Sequence, residues 1–450
     1  MARIFGTDGV RGVANTELTP QLAFAIGRAG AHVLARSSDR HRPIVVGRDT
    51  RLSGTMLESA IVSGITSVGR DVVSVGIVPT PAVATITVRT GAAAGVMISA
   101  SHNPIADNGI KFFGPDGFKL SDAIEDEIEA LLGSSDFPQP TGADIGVASV
   151  ALNLGKHYYD ELYARAADLS GLTVVVDGAF GAAYQYAPYA LRKLGATVHE
   201  LNCQADGARI NVQCGATDLR PLQARVHELI AAGEQRVVGV AFDGDADRAL
   251  FVDETGATLS GDHIMLVLAR DLQARGELAG DTVVATVMSN IGLEKALSAH
   301  GISLLRAPVG DRYVLERMRE GRYVLGGEQS GHIINLHNNT TGDGPMTAIA
   351  VLNTIARSGK TLHELASEMT IYPQILLNVQ TSFKQVLDDP QVRAAVEQAE
   401  RNLTGTGRLL IRPSGTEPLI RVMVEGDNQQ RIEALAHELA ERIRQAASVY

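Results

Sequence analysis

Hydrophobic and polar positions along this 450-residue chain follow one pattern that recurs three times. A β-branched strand empties into a polar or glycine-rich loop, an amphipathic helix follows, and a glycine then precedes a second strand. The first copy predicts a strand at 44–47, a helix over 55–68, Gly69 and a strand at 72–77. The second predicts a strand at 173–176, a helix over 183–194, Gly195 and a strand at 197–201. The third predicts a strand at 282–287, a helix over 293–300, Gly301 and a strand at 302–305. Strand-helix-strand units imply parallel strands with right-handed crossovers. Three in series predict three related α/β domains.

Each copy is followed by another apolar strand that runs into a polar loop. The segment 94–98 leads to Ser99-Ala100-Ser101-His102-Asn103-Pro104. The segment 237–242 leads to Asp243-Gly244-Asp245-Ala246-Asp247-Arg248, and 323–325 to Gly326-Gly327-Glu328-Gln329-Ser330-Gly331-His332. Ligands of open α/β sheets sit beyond the carboxyl ends of the strands, so the three loops are expected to face one cleft. Past residue 372 the pattern changes: a helical stretch closes over 397–403, strands at 408–412 and 419–424 flank Pro413-Ser414-Gly415-Thr416-Glu417-Pro418, and a helix covers 429–447. The expected fold class is α/β: three tandem related domains with mixed, mainly parallel sheets and a smaller C-terminal α+β domain, around a central cleft. The expected boundaries are 1–150, 151–256, 257–371 and 372–450, with Ser134 to Gly142 the best linker candidate. Length alone suggests roughly three domains.

Composition narrows the class. Hydrophobic content of 45% and charged content of 20% describe an ordinary globular protein. A formal net charge of -11 argues against nucleic acid or an anionic membrane as partner, and an anionic substrate would need a locally basic pocket. The two cysteines, Cys203 and Cys214, form no Cys-x-x-Cys motif and fit a reducing compartment. The start, Met1 to Gly6, has no apolar signal core, and no run is apolar enough to span a bilayer. A soluble cytoplasmic protein is expected.

The aspartate loop carries the strongest chemistry. Three carboxylates this close repel one another unless a cation or protons offset their charge, and oxygen-only ligands suit a hard cation such as Mg²⁺. Arg248 beside them suggests that an anion binds as well. A solvated acidic turn is the plain alternative. An EF-hand fails, because its sixth position requires glycine where Arg248 stands, and the flanks read as strands. In the first loop Ser99 or Ser101 could be a nucleophile with His102 nearby; the residues alone do not choose, and an Asn-Pro turn would explain both. Lys111 could deliver a proton or hold phosphate, against the default of a solvated charge. The Glu328 loop offers a carboxylate, a hydroxyl and an imidazole suited to sugar hydroxyls or an ammonium group. Arg412, Ser414, the N–H groups of Gly415 and Thr416, and Arg421 make a phosphate cradle. Arg11 in Gly6-Thr7-Asp8-Gly9-Val10-Arg11-Gly12 is a further phosphate candidate. Gly359-Lys360-Thr361 is no P-loop, since Thr354 stands where that motif needs glycine.

Taken in order, the Ser101 loop, Asp243 to Arg248, Gly327 to His332 and Arg412 to Pro418 resemble the four signature loops of the α-D-phosphohexomutases, over essentially the whole chain. The opening Phe5 to Gly12, together with Gln329, looks like the bacterial phosphoglucosamine mutase branch. One departure is Ala246, where many members carry glycine; its methyl group is expected to be tolerated if that backbone is not left-handed. The resemblance implies that Ser101 is carried as phosphoserine, and that Mg²⁺ is bound by Asp243, Asp245, Asp247 and the Ser101 phosphate. It implies proton transfer by Lys111 and His102, phosphate contacts from Arg11 and Arg248, and sugar contacts from Glu328, Ser330 and His332. Arg412, Ser414, Gly415, Thr416 and Arg421 would hold the distal phosphate. The implied reaction interconverts glucosamine 6-phosphate and glucosamine 1-phosphate, with glucosamine 1,6-bisphosphate as intermediate. Family members are often dimers, though nothing in the sequence marks an interface. Competing classes are a phosphatase with Asp243 as nucleophile and a phosphosugar sensor without turnover. Within the mutases, glucose or mannose phosphate is the nearest alternative substrate.

Overall fold

The computed structural model describes residues 3–6, 8–36, 41–414 and 418–448. The chain forms two compact units, residues 1–286 with 305–366 and residues 287–304 with 367–450. Among the described residues no helix is long and apolar enough to cross a membrane.

Three mixed sheets share one arrangement. In the seven-stranded sheet Ala94–Ile98 lies between Ile44–Arg48, parallel to it, and Asp107–Phe113, antiparallel. In the five-stranded sheet Val237–Phe242 lies between parallel Thr173–Asp177 and antiparallel Ala249–Val252. In the four-stranded sheet Leu325–Gly327 lies between parallel Thr282–Thr286 and antiparallel Ile333–Asn335. Each loop singled out in the sequence is therefore the turn between a buried central strand and its antiparallel return. These central strands are buried along their whole length, which explains their continuous apolar runs.

Local signals set the helix ends. Helix Pro20–Ala35 starts on Pro20 after Thr19, whose side chain accepts from Leu22 N–H. Helix Ile291–Ser298 begins two residues before the expected start because Asn290 caps it, accepting from Gly292 N–H at 2.9 Å. The third loop-bearing strand starts at Leu325, not at 323. Arg322 is a left-handed C-cap at φ 56° and Tyr323 N–H still closes onto Met318 O, so those residues end the preceding helix Asp311–Gly321.

Helix Gly344–Ser358 bears on the site directly. Its N-cap Asp343 accepts from Met346 N–H at 2.9 Å, Tyr158 Oη–H at 2.6 Å and Asn339 Nδ2–H at 2.9 Å. Gly344 N–H in turn donates to Ala246 O at 3.0 Å, beneath the aspartate loop. A side chain at Gly344 would meet Arg248 O at 2.5 Å, so only glycine allows this approach. Burial outweighs the three hydrogen bonds and pushes the Asp343 carboxyl up to about 6. The folded pKa lies above the unfolded one, so its contribution is full below pH ~4 and is lost as pH rises to about 6. Asp343→Asn is therefore expected to flatten the decline of stability between those limits by about 3 kcal/mol, read from urea unfolding at several pH values.

In the second unit the sheet order is Gln374–Gln380, Leu419–Gly426, Gly407–Pro413, all antiparallel. The strand Gln374–Gln380 is additional to the two expected; Ile375, Leu377 and Val379 face the core, but Leu376 on the outer face is 46% accessible, which breaks the apolar alternation in the sequence. Helices Pro390–Leu403 and Gln429–Ala447 complete an apolar core with Val379, Val422 and Val424.

Candidate active site

The site of the first unit centres on Ser101. Its Oγ donates to Asp243 Oδ2 at 2.5 Å and lies 3.3 Å from His102 Nδ1. Ser99 is fully buried, donating to Asp49 Oδ2 at 2.7 Å and accepting from Ser101 N–H at 2.8 Å. The two serines that the sequence left equivalent thus differ: Ser99 holds backbone, and Ser101 faces the aspartates.

Asp243, Asp245 and Asp247 are buried, each with a carboxylate oxygen within 4.8 Å of the others. Asp245 Oδ1 and Asp247 Oδ1 have no hydrogen-bond partner. Buried orphan oxygens in an all-oxygen cluster fit a hard divalent cation. Burial, then Asp247 and Asp245, push the Asp243 carboxyl up to about 8. Asp247 goes the other way: burial opposes its ionisation, but His332 and Lys111 outweigh that and hold it well below the usual range. The flanking strands pair antiparallel from Phe242↔Ala249, as the rejection of an EF-hand requires.

Lys111 is no solvated charge. It is 2% exposed, with Nζ 2.9 Å from Asp245 Oδ2, 2.9 Å from Asp8 Oδ2 and 3.6 Å from Asp247 Oδ2. Burial would lower its pKa, but Asp245, Asp8 and Asp247 prevail and raise it, so it stays cationic. Burial, with Arg248 and Arg11, lowers His102 to about 4, which leaves it neutral near pH 7. Arg11 bonds Asn103 Oδ1 at 3.2 Å and pairs with Asp8. Arg248 Nε lies 3.9 Å from Asp247 Oδ1. His332 directs Nδ1 at Asp247, 3.5 Å away, and Nε2 at Asp311, 3.4 Å away, so both nitrogens face carboxylates. Glu328 accepts from Gly310 N–H and from Ser330 Oγ–H, each at 3.2 Å.

Ala246 corrects one expectation. Its φ is 58°, the left-handed region, where a Cβ costs about 1 kcal/mol. Glycine at this position therefore has a physical reason, and the strained turn is held by Ala246 N–H on Asp243 O at 3.0 Å and by Gly344 N–H on Ala246 O.

The second unit carries Arg412 directly opposite Arg421 on paired strands. Like charges in that register repel, a cost that a bound anion would offset. Ser414 is buried beside them, and Lys384 Nζ–H donates to its carbonyl. Gly415 and Thr416 lie outside the described residues.

Several neighbours of the site were not singled out in the sequence: Asp8, Asp49, Arg51, Thr80, Lys119, Asn211 and Asp311. Thr80 Oγ1–H donates to Asp245 Oδ2 at 2.6 Å, and Lys119 Nζ bridges Asp8 and Asp311. One signal existed for Asp49 and Arg51, because Arg48-Asp49-Thr50-Arg51 also stands at the carboxyl end of a strand. The others come together only through tertiary packing.

Known proteins show the same organisation. Four family models for phosphoglucomutase/phosphomannomutase match in order: α/β/α domain I over residues 2–139, domain II over 156–256, domain III over 260–372 and the C-terminal domain over 376–442. A phosphoglucosamine mutase of Caldanaerobacter subterraneus is 52% identical over 449 residues, covering 98% of this chain and 99% of the relative. One from Syntrophomonas wolfei is 49% identical, covering 99% and 100%. A phosphoglucomutase/phosphomannomutase family protein of Burkholderia thailandensis shares the fold at a TM-score of 0.83 and 24% identity, over 99% of this chain and 97% of that one. An N-acetylphosphoglucosamine mutase of Aspergillus fumigatus, solved with GlcNAc-6P and magnesium, aligns at 0.65 with 19% identity, over 98% and 96%. Domain by domain and nearly end to end, this chain belongs to the phosphoglucomutase/phosphomannomutase family.

Proposed function

We propose that the protein interconverts glucosamine 6-phosphate and glucosamine 1-phosphate through a phosphoserine at Ser101 and a glucosamine 1,6-bisphosphate intermediate. The observation that carries this reading is the serine hydroxyl set on a buried aspartate triad, in a chain about half identical to phosphoglucosamine mutases. Asp243, Asp245 and Asp247, with the Ser101 phosphate, would hold Mg²⁺. When bound, that ion offsets charge on the transferring phosphoryl group.

Phosphoserine 101 gives its phosphoryl group to the C1 hydroxyl of glucosamine 6-phosphate. The serine oxygen–phosphorus bond breaks as the sugar oxygen–phosphorus bond forms, and the hydroxyl proton ends on Ser101 Oγ by way of neutral His102. Lys111 stays cationic and holds the aspartates. The bisphosphate then turns over, and its C6 phosphate returns to Ser101 by the same balance. Arg11 and Arg248 meet phosphate, Glu328 and Ser330 meet the sugar, and Arg412, Ser414, Gly415, Thr416 and Arg421 hold the far phosphate; His332, buried with both nitrogens directed at Asp247 and Asp311, holds those carboxylates rather than the sugar. We take the domains to run 1–150, 151–256, 257–371 and 372–450. On the same resemblance the enzyme works in the cytoplasm and supplies amino-sugar precursors of the cell wall; a homodimer is the assembly to test by sedimentation.

Catalytic efficiencies on glucosamine, glucose and mannose 6-phosphates test the substrate. Glucosamine 6-phosphate is expected to lead by about 10-fold or more. Equal efficiencies would contradict the amino-sugar reading, and absence of turnover would leave a sensor. Phosphopeptide mapping should put the label on Ser101; label on Asp243 would indicate a phosphatase.

A further inference from the structure

The backbone at Ser101 is strained and over-determined. Its φ is 51°, in the left-handed region, for a residue with a side chain. Arg51 is 1% exposed, and its guanidinium lies within the serine loop. Nη2–H donates to Ser101 O at 2.9 Å and Asn103 O at 2.8 Å. Nη1–H donates to Pro104 O at 2.6 Å and Asp107 O at 2.9 Å. Nε–H donates to Asp49 Oδ2 at 3.1 Å, and Asp49 Oδ1 accepts from Arg51 N–H at 2.8 Å. Asp49 Oδ2 also accepts from Ser99 Oγ–H, whose oxygen receives Ser101 N–H. From the other side Asn211 Nδ2–H donates to Ser101 O at 2.8 Å. Both backbone groups of Ser101 are thus tied to one ion pair that is buried from solvent.

We propose that Asp49 and Arg51 form a clamp that sets the left-handed turn at Ser101 and so directs its Oγ at the aspartates; they are positioning residues for phosphoryl transfer. The inference rests on the mutase reading above. A planar guanidinium reaches four carbonyls at once, whereas an ammonium at the end of a flexible stem does not. Without the fork the turn relaxes toward a right-handed or extended backbone, and the hydroxyl swings off line. A displacement on that scale costs reaction rate far more than ground-state binding.

The test is phosphorylation of Ser101 by glucose 1,6-bisphosphate with Mg²⁺, followed by intact-protein mass spectrometry and peptide mapping. In this step the Ser101 Oγ–phosphorus bond forms, the sugar–phosphorus bond breaks, and the serine proton leaves with the sugar oxygen. Arg51→Lys keeps the charge beside Asp49 and is expected to slow phosphorylation by about 100-fold. KM should stay within about threefold, as expected when binding is spared, and Mg²⁺ affinity by calorimetry should be unchanged. A rate within about threefold of the parent overturns the clamp, as does a loss confined to KM. If Arg51→Lys does not fold, Ser99→Ala decides: it removes only the link from Asp49 to Ser101 N–H. A rate about 10-fold lower supports the clamp, and an unchanged rate overturns it. Failure of the parent protein to gain phosphate at Ser101 would instead overturn the mutase reading, and the clamp's role with it.

Discussion

Ser101→Ala is expected to lower mutase turnover by at least about 10⁴-fold, the scale seen when a covalent nucleophile is removed. The fold should survive, because the contacts that hold this turn reach the backbone of residue 101 and not its side chain. Its N–H meets Ser99 Oγ, and its carbonyl receives Arg51 and Asn211. The side chain contributes the hydrogen bond to Asp243 and a proximity to His102. A thermal midpoint close to the parent's, with phosphate absent from the peptide carrying residue 101, is therefore the expected pair of results. Turnover near the parent's would refute phosphoserine chemistry.

Lys111→Met is expected to have the second-largest effect, and on two observables. The substitution keeps the length of the side chain but removes a buried cation that faces Asp8, Asp245 and Asp247. Breaking a buried ion pair on one side typically costs 3–5 kcal/mol, so the metal-free variant should unfold about that much more easily. Turnover should fall by about 10²–10⁴-fold, as for loss of a positioned proton-transfer or charge-stabilising group. The triad, left with more uncompensated negative charge, should respond more strongly to added cation. Mg²⁺ is therefore expected to raise the thermal midpoint of the variant more than that of the parent. A variant with the parent's midpoint in chelator and turnover within about 10-fold would return Lys111 to the role of a bystander.

Legibility of the site in the sequence followed the range of the interactions. The aspartate loop was readable because its three carboxylates stand at alternate positions in one turn. The choice between Ser99 and Ser101 was not, because it is made by Asp49, 50 residues earlier in the chain. Lys111 looked like any strand-end lysine until Asp8 and Asp245 were placed around it from two other strand-end loops. Ala246 shows the limit from the other direction. The sequence said only that its methyl is tolerated if the backbone is not left-handed, and the approach of Gly344 and the Asp243 carbonyl holds it left-handed.

By itself the sequence determined which segments become buried strands, where two of the three central strands end, at Ile98 and Phe242, and which polar residues follow them. Such features are encoded locally, since burial along one strand or one helix face imposes a period that a few neighbouring residues reveal. Only the tertiary structure decided that Ser101 and Asp243, 142 residues apart, share a hydrogen bond, that Arg51 closes on the serine loop, and that Lys111 loses contact with water. Those pairings arise when strands far apart in the sequence are set side by side in one sheet, as for Arg51, and when separate sheets pack together, as for Ser101 and Asp243. Their chemistry depends on desolvation and on distances of a few ångströms between loops, and no periodicity within one element records either quantity.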